Sequence, residues 1–165
     1  MRLILALMAC LAAPLAAETR QHGNVVFDIP KGWVLGGSQD DGSLILRSDL
    51  PNDECEYCRI FITAGDRATG RADTWVATQT RRLIDADDTP KITTLVKPEI
   101  TNLNGRPAAM LGQKVDSDLQ ILFAVQLFGR MQLIAFEASA YDEADLAEGM
   151  TVFQRDVVPL VEAAQ

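Results

Sequence analysis

The sequence predicts an α+β domain, a mostly antiparallel six- or seven-stranded sheet with helices on both faces, in the order β-β-β-α-β-β-β-β-α. Three observations predict it. Leu119 to Ala140 reads as two antiparallel strands joined at Gly129-Arg130, with apolar residues at both odd and even positions, so both faces of this hairpin need cover. Asp41-Gly42 and Asn104-Gly105 are strong two-residue hairpin signals. Two other stretches, Gly70 to Asp87 and the segment after Asp142, repeat their apolar residues at three and four rather than two, as helices laid on a sheet do.

The chain has 165 residues. After Arg2, Leu3 to Ala16 is apolar apart from Pro14, and Leu15-Ala16-Ala17 closes the run before Glu18. Residues 1–17 therefore read as a Sec signal peptide, with residues 18–165 as one mature domain. Export to the periplasm is the expected location, the extracellular space being the alternative. Leu7-Met8-Ala9-Cys10 resembles a lipobox, but a lipoprotein reading through Cys10 leaves only half the usual hydrophobic stretch of roughly 7–15 residues. The run also falls short of the ~20 apolar residues of a membrane-spanning helix, so no stable insertion is expected after cleavage. Removing Arg2 from 15 basic residues leaves 14 against 23 acidic ones, a mature net charge of −9 with His neutral. That disfavours nucleic acid and anionic membrane surfaces as partners, since both exchange counterions for a basic patch. A basic protein partner fits the acidity, and so does simple solubility.

Along the mature chain, Asn24 to Ile29 is β-rich and Pro30 ends it. Gly36-Gly37 and Asp41-Gly42 flank a second strand, Leu44 to Arg47, expected to pair with the first. Arg59 to Ala64 is the third. In the helix over Gly70 to Asp87, Ala72, Trp75, Val76, Gln79, Leu83 and Ala86 form the stripe, and Asp87-Asp88-Thr89-Pro90 stops it. Ile92 to Leu103 and Arg106 to Val115 pair through Asn104-Gly105, with Pro98 and Pro107 marking them as nearer an edge. Asp142 caps the last helix, with Asp145 three positions on, and Leu146, Met150, Phe153, Val157 and Val161 make its stripe. Pro159 is expected to kink it or end it near Val158.

Phe27-Asp28-Ile29-Pro30-Lys31-Gly32-Trp33 resembles the F-x-I-P-x-G-W opening of the PsbP/DcrB-like superfamily, and the order of elements extends the likeness over nearly all of the mature chain. The resemblance implies an α/β/α sandwich and a non-enzymatic binding or accessory role. The superfamily includes a Ran-binding import factor of fungi and photosynthetic proteins that help retain calcium and chloride at a manganese cluster. None of that ion chemistry carries over to a residue of this chain.

Glu54-Cys55-Glu56-Tyr57-Cys58-Arg59 holds the sharpest local feature. Once Cys10 leaves with the signal peptide, Cys55 and Cys58 are the remaining cysteines, and an even count in an oxidising compartment implies that they pair. Closing so short a loop removes only about 2 kcal/mol of unfolded-state entropy. The competing reading is a thiol–disulfide oxidoreductase. Its thiolate needs positive charge or a helix N-terminus, whereas Asp53, Glu54 and Glu56 surround this pair, Arg59 alone opposes them, and a strand follows. His22 is the only histidine, too few ligands for zinc, and no Gly-x-Ser-x-Gly elbow or P-loop accompanies it. Asp85, Asp87 and Asp88, or Asp40 and Asp41, lack the ordered spacing of a calcium loop and read as helix-end and turn residues. No catalytic residue, cofactor or metal site is assigned. Trp33 and Trp75 are large enough to anchor a core; alternatively Trp33, with Gly36 and Gly37, lines a partner or ligand groove.

The expected function is an exported, non-catalytic protein that binds another exported or envelope protein. The alternatives are the oxidoreductase and an acidic inhibitor or immunity protein directed at a basic enzyme. The reduction potential of Cys55–Cys58 separates the first two: a structural bond should lie below about −300 mV, and a value of about −120 to −200 mV would restore exchange chemistry.

Overall fold

The computed structural model describes residues 18–49, 55, 57–68, 70–80 and 89–163. The signal-peptide reading, Asp53, Glu54, Glu56, and the second half of the first helix with Leu83, Asp85, Ala86, Asp87 and Asp88 lie outside them. The described strands are β1 (Thr19–His22), β2 (Val25–Asp28), β3 (Trp33–Ser38), β4 (Leu44–Ser48), β5 (Arg59–Ile62), β6 (Ile92–Leu103), β7 (Arg106–Val115), β8 (Asp118–Leu127) and β9 (Arg130–Ser139). The helices are α1 (Ala72–Thr78), between β5 and β6, then α2 (Glu143–Val152), a π-turn (Phe153–Val157) and α3 (Val158–Ala163) in unbroken succession.

Strands β3-β4-β5-β9-β8-β7-β6 form one seven-stranded sheet, paired antiparallel throughout, while β1 and β2 make a separate hairpin. The expected sheet with helices on both faces is present. β9 lies between β5 and β8, and from Met131 to Ala138 each of its residues is buried. On one face Ile121, Val125, Ile134 and Phe136 meet Phe153, Val157, Leu160 and Val161, together with Val25 and Phe27 of the small hairpin. Phe153 stacks on Phe123 at 6.4 Å between ring centroids and tilts against Phe136 at 5.8 Å. On the other face Phe61, Leu111, Leu122, Leu133 and Ala135 pack with Ala72 and Val76 of α1, and Trp75 closes the cluster's margin.

Local chemistry explains the turns. Asn104 and Gly105 both take left-handed backbone (φ 53° and 83°), as a type I′ turn requires. The β8–β9 turn is Phe128-Gly129 (φ 49° and 74°) rather than Gly129-Arg130, because Leu127 and Arg130 are still paired. Asp142 caps α2, accepting from the N–H groups of Ala144 and Asp145, while the Asp145 carboxylate accepts from the Tyr141 N–H. Pro159 neither ends the helix nor kinks it out of the fold. Proline has no N–H to donate and its ring crowds the carbonyl one turn back, here that of Arg155. The turn before it widens, with the Val158 N–H donating to Phe153 O five residues back, and the helix passes on into α3.

Two expectations near the N-terminus are corrected. Residues 24–29 do not pair with Leu44 to Arg47: Val25–Asp28 pairs with β1, and β4 pairs with β3. The expected order lacked β1 and β3. Gly36-Gly37 sits inside β3 at a bulge, where the register shifts between Leu35 and Gly37, and Gly37 adopts the positive φ of 117° that a side chain would resist. At the opposite edge, β6 carries Lys97, Pro98 and two register shifts, features that discourage edge-to-edge pairing.

Trp33 is 4% exposed and its indole N–H donates to Asp156 Oδ2 at 2.9 Å, tying the start of β3 to the π-turn. Trp33→Phe should keep the packing but remove one of the two donors to Asp156 Oδ2, the other being Arg155 Nη2, lowering stability by about 1–3 kcal/mol. Urea unfolding of the variant checks this, and an unchanged midpoint would mean that Arg155 alone satisfies Asp156.

Candidate functional site

The strand ends opposite the Phe128-Gly129 turn enclose a recess of 490 Å³. Arg47 and Ser48 on β4 and Arg59 on β5 line it. Asp118 opens β8 and Ser139 closes β9, directly opposite each other. Cys55, Tyr57 and Cys58 supply the loop before β5, and Tyr141 follows β9 at the rim.

A row of polar side chains crosses the sheet behind the recess, on the face that carries α1. Gln113, Gln120, Glu137 and Arg59 occupy directly opposed positions on β7, β8, β9 and β5. The Gln113 amide donates to Gln120 Oε1 at 2.8 Å, and the Gln120 amide donates to Glu137 Oε1 at 3.0 Å. Glu137 Oε2 then meets the Arg59 guanidinium at 2.7 Å. Thr80, just past α1, reaches Gln113 Oε1 at 3.4 Å. Both amides of this row, Gln113 and Gln120, thus have partners, which burial demands. The far end of the row is a charged group at the recess, and Arg59 is held further by lying 5.7 Å over the Phe61 ring.

The next position in that row is Arg47, directly opposite Arg59. Like charges facing each other across a ladder destabilise it. Glu137 compensates Arg59, but Arg47 makes no ion pair or hydrogen bond among the described residues. Its aliphatic stem lies against Gly36, where a Cβ would come within 2.7 Å of the Arg47 Cγ. The β3 bulge therefore makes room for this side chain. Asp118 also makes no hydrogen bond or ion pair among the described residues. Burial pushes its carboxyl above the ordinary value of 3.8, Arg59 pulls it down, and Asp116 adds to the rise.

The Cys55–Cys58 disulfide is formed, with Cα atoms 5.7 Å apart; Cys58 is 2% exposed and Cys55 half-buried. Between them Tyr57 takes left-handed backbone (φ 65°), a conformation that costs an L-residue on the order of 1–2 kcal/mol. Its ring is 69% exposed, and Tyr141 is 71% exposed.

The residues expected to form a groove are not brought together there. Trp33 is in the core, Gly36 underlies Arg47, and Gly37 is exposed on an edge strand; none of the three lines the recess. Asp41 accepts from the Ser43 N–H at 2.8 Å and so shapes the β3–β4 turn. His22 lies on β1. Among the described residues, no three metal-ligating side chains gather, and no helix is long and apolar enough to cross a membrane.

No protein-family model matches the sequence, and no curated protein matches it. Solved structures do match. The chain is similar to cyanobacterial PsbP (CyanoP) of Synechocystis sp. PCC 6803, with a TM-score of 0.60 and 17% identity over 92% of this chain and 96% of that one. The chain has a PsbP-like fold. This PsbP-like chain is also similar to PA94, a Pseudomonas aeruginosa protein of unknown function, at a TM-score of 0.51 and 15% identity over 84% and 91% of the two chains. A third likeness is to the Ran-binding protein Mog1p of Saccharomyces cerevisiae, at a TM-score of 0.62 and 11% identity over 91% and 96%. At such identities the likeness is one of fold.

Asp118→Asn tests the electrostatics of the recess. The folded state holds the Asp118 carboxyl above its unfolded value, so folded protein binds the proton more tightly and stability falls as pH rises through that window. The substitution should therefore stabilise the protein near neutral pH and have no effect below the ordinary carboxyl value of 3.8. Urea midpoints measured across that pH range check it, and a destabilised variant at neutral pH would show that the carboxylate is held favourably.

Proposed function

We propose that the protein is an exported, non-catalytic binding or accessory protein that acts in the periplasm by contacting another exported or envelope protein. The observation that carries this reading is the rim of the recess. Two highly exposed tyrosines, Tyr57 and Tyr141, stand beside two arginines, Arg47 and Arg59, and tyrosine with arginine is the composition of binding hot spots. Tyr57 is held there against its backbone preference, a cost that residues at functional sites often carry. The similar fold of a Ran-binding protein supports a binding role.

A second reading, the thiol–disulfide oxidoreductase, gains from the position of Arg47. Arg47 and Arg59 line the same recess as Cys55 and Cys58, and positive charge favours a thiolate. The near-complete burial of Cys58 weighs against it.

Exported protein should capture a specific partner from native periplasmic extract, detected by cross-linking and mass spectrometry at low and high salt. Tyr57→Asn together with Tyr141→Ala should abolish that capture and leave the protein no less stable than the parent, since both side chains are exposed and asparagine tolerates the left-handed backbone at that position. Retention of nothing specific at either salt concentration, or undiminished capture by the double variant, would overturn the reading.

A further inference from the structure

We propose that the β1–β2 hairpin, residues 18–29, is a hinged cover that lifts from the sheet while the rest of the fold stays closed. This goes beyond the partner-binding reading and does not rest on it, because it concerns how the N-terminal hairpin is held and uses no residue of the recess.

The hairpin is bonded to itself. β1 and β2 form a sheet of their own. Among the described residues, every other hydrogen bond and ion pair of residues 18–29 also stays inside the hairpin: the Ile29 N–H donates to Glu18 O, Thr19 to Asp28, Arg20 to Glu18 and Gln21 to Gly23 O. Its hold on the fold is apolar. Val25 and Phe27 are buried in the cluster that contains Val157, Leu160 and Val161, and Ile29 packs at its margin. Thr19, Arg20, Gln21, Val26 and Asp28 are exposed.

Closure of this cover strands polar atoms. His22 is directly opposite Val25 and so shares its inward side. Gln132 is fully buried and directly opposite Val125, on the sheet face that the hairpin covers. His22 Nε2 and both amide atoms of Gln132 are buried and make no hydrogen bond. The two groups adjoin one corner of the fold. Gly23 rests on the Ala64 carbonyl, and Gln132 Oε1 lies so near Gly65 that a Cβ there would come within 2.8 Å of it. A buried donor or acceptor without a partner costs its full desolvation. Apolar contact therefore holds the hairpin down while these atoms oppose it, and lifting the hairpin returns them to water.

The hinge is sharp. Ile29 is the last residue bonded within the hairpin. From Pro30 onward the chain belongs to the main fold: Pro30 O accepts from the Trp33 N–H at 3.1 Å and Gly32 O from the Asp49 N–H at 2.7 Å, and Trp33 is bound in turn to Asp156. Removal of residues 1–17, as the Sec reading expects, leaves the hairpin tethered at this end alone, so a change at one or two backbone positions suffices to swing it. A two-stranded hairpin is marginal by itself. Opening therefore releases its amides to exchange and bares Val25, Phe27 and the part of the sheet beneath them.

Hydrogen exchange of the exported protein, followed by NMR at urea concentrations below the unfolding transition, tests this. Amides of β1 and β2 should be protected about a hundredfold less than those of β8 and β9, with a much weaker dependence on urea, because local opening exposes little surface. Gln132→Met keeps the size of the side chain and removes the stranded amide, so it should slow exchange of the hairpin by about tenfold. Phe27→Ala should speed it by about tenfold or more. Hairpin amides with the protection and urea dependence of β8 and β9 would overturn the proposal, since the cover would then open only when the whole protein unfolds. So would a Gln132→Met variant whose hairpin exchanges as fast as the parent's. The comparison of strands within the unmodified protein decides the matter even if a variant folds poorly.

Discussion

The structure depends on one constraint: β9 and β8 are apolar on both faces, so neither face can be left to water. An antiparallel sheet with one wet face needs only one covering layer, but this one needs two. The C-terminal helical run, with Phe153 wedged between Phe123 and Phe136, closes one side with the help of the β1–β2 hairpin. α1 closes the other with Val76 and Trp75. The helical run can lie flat on the sheet because Gly149 lets α2 approach Leu119 and Ala138 closely and because the π-turn carries it past Pro159. The Trp33–Asp156 hydrogen bond then binds an outer strand to that covering layer.

Much of this was legible because the signals are local. Asn104-Gly105 and the Asp142 cap act within four residues of themselves, and the alternation of Leu119 to Ala140 is enough to require two covers. β3 was hidden because Gly36-Gly37 looks like a turn when read alone. The bulge there accommodates Arg47, which is next to Gly36 in space and eleven residues away in sequence. The turn at Phe128-Gly129 was misplaced by one residue because phenylalanine rarely takes left-handed backbone, so Gly129 looked like the first turn residue rather than the second.

The recess was not legible for a related reason. Arg47, Arg59, Asp118 and Tyr141 come from four separate segments, and antiparallel pairing alone makes them neighbours. A trace of it was present in the sequence: Gln113, Gln120 and Glu137 interrupt strands otherwise rich in buried apolar residues. Polar residues at inward positions need partners, and they point along the sheet to Arg59. Cys55 and Cys58 stood out by their spacing, but their setting beside two arginines and a desolvated aspartate follows only from the fold.

The polar row has a consequence for how the chain finds its pairing. In most sheets a slip of one residue is penalised because it turns an apolar face towards water. Here both faces are apolar, so that penalty is weak for β8 against β9, and several alignments would bury nearly the same surface. The row supplies the missing discrimination. Only one alignment places Gln120 between Gln113 and Glu137 and brings Glu137 to Arg59; any slip leaves amides and a carboxylate unpaired in a dry interior. Hydrophobic burial drives the strands together, and these four side chains select which alignment survives, acting as a register key that also delivers an arginine to the recess.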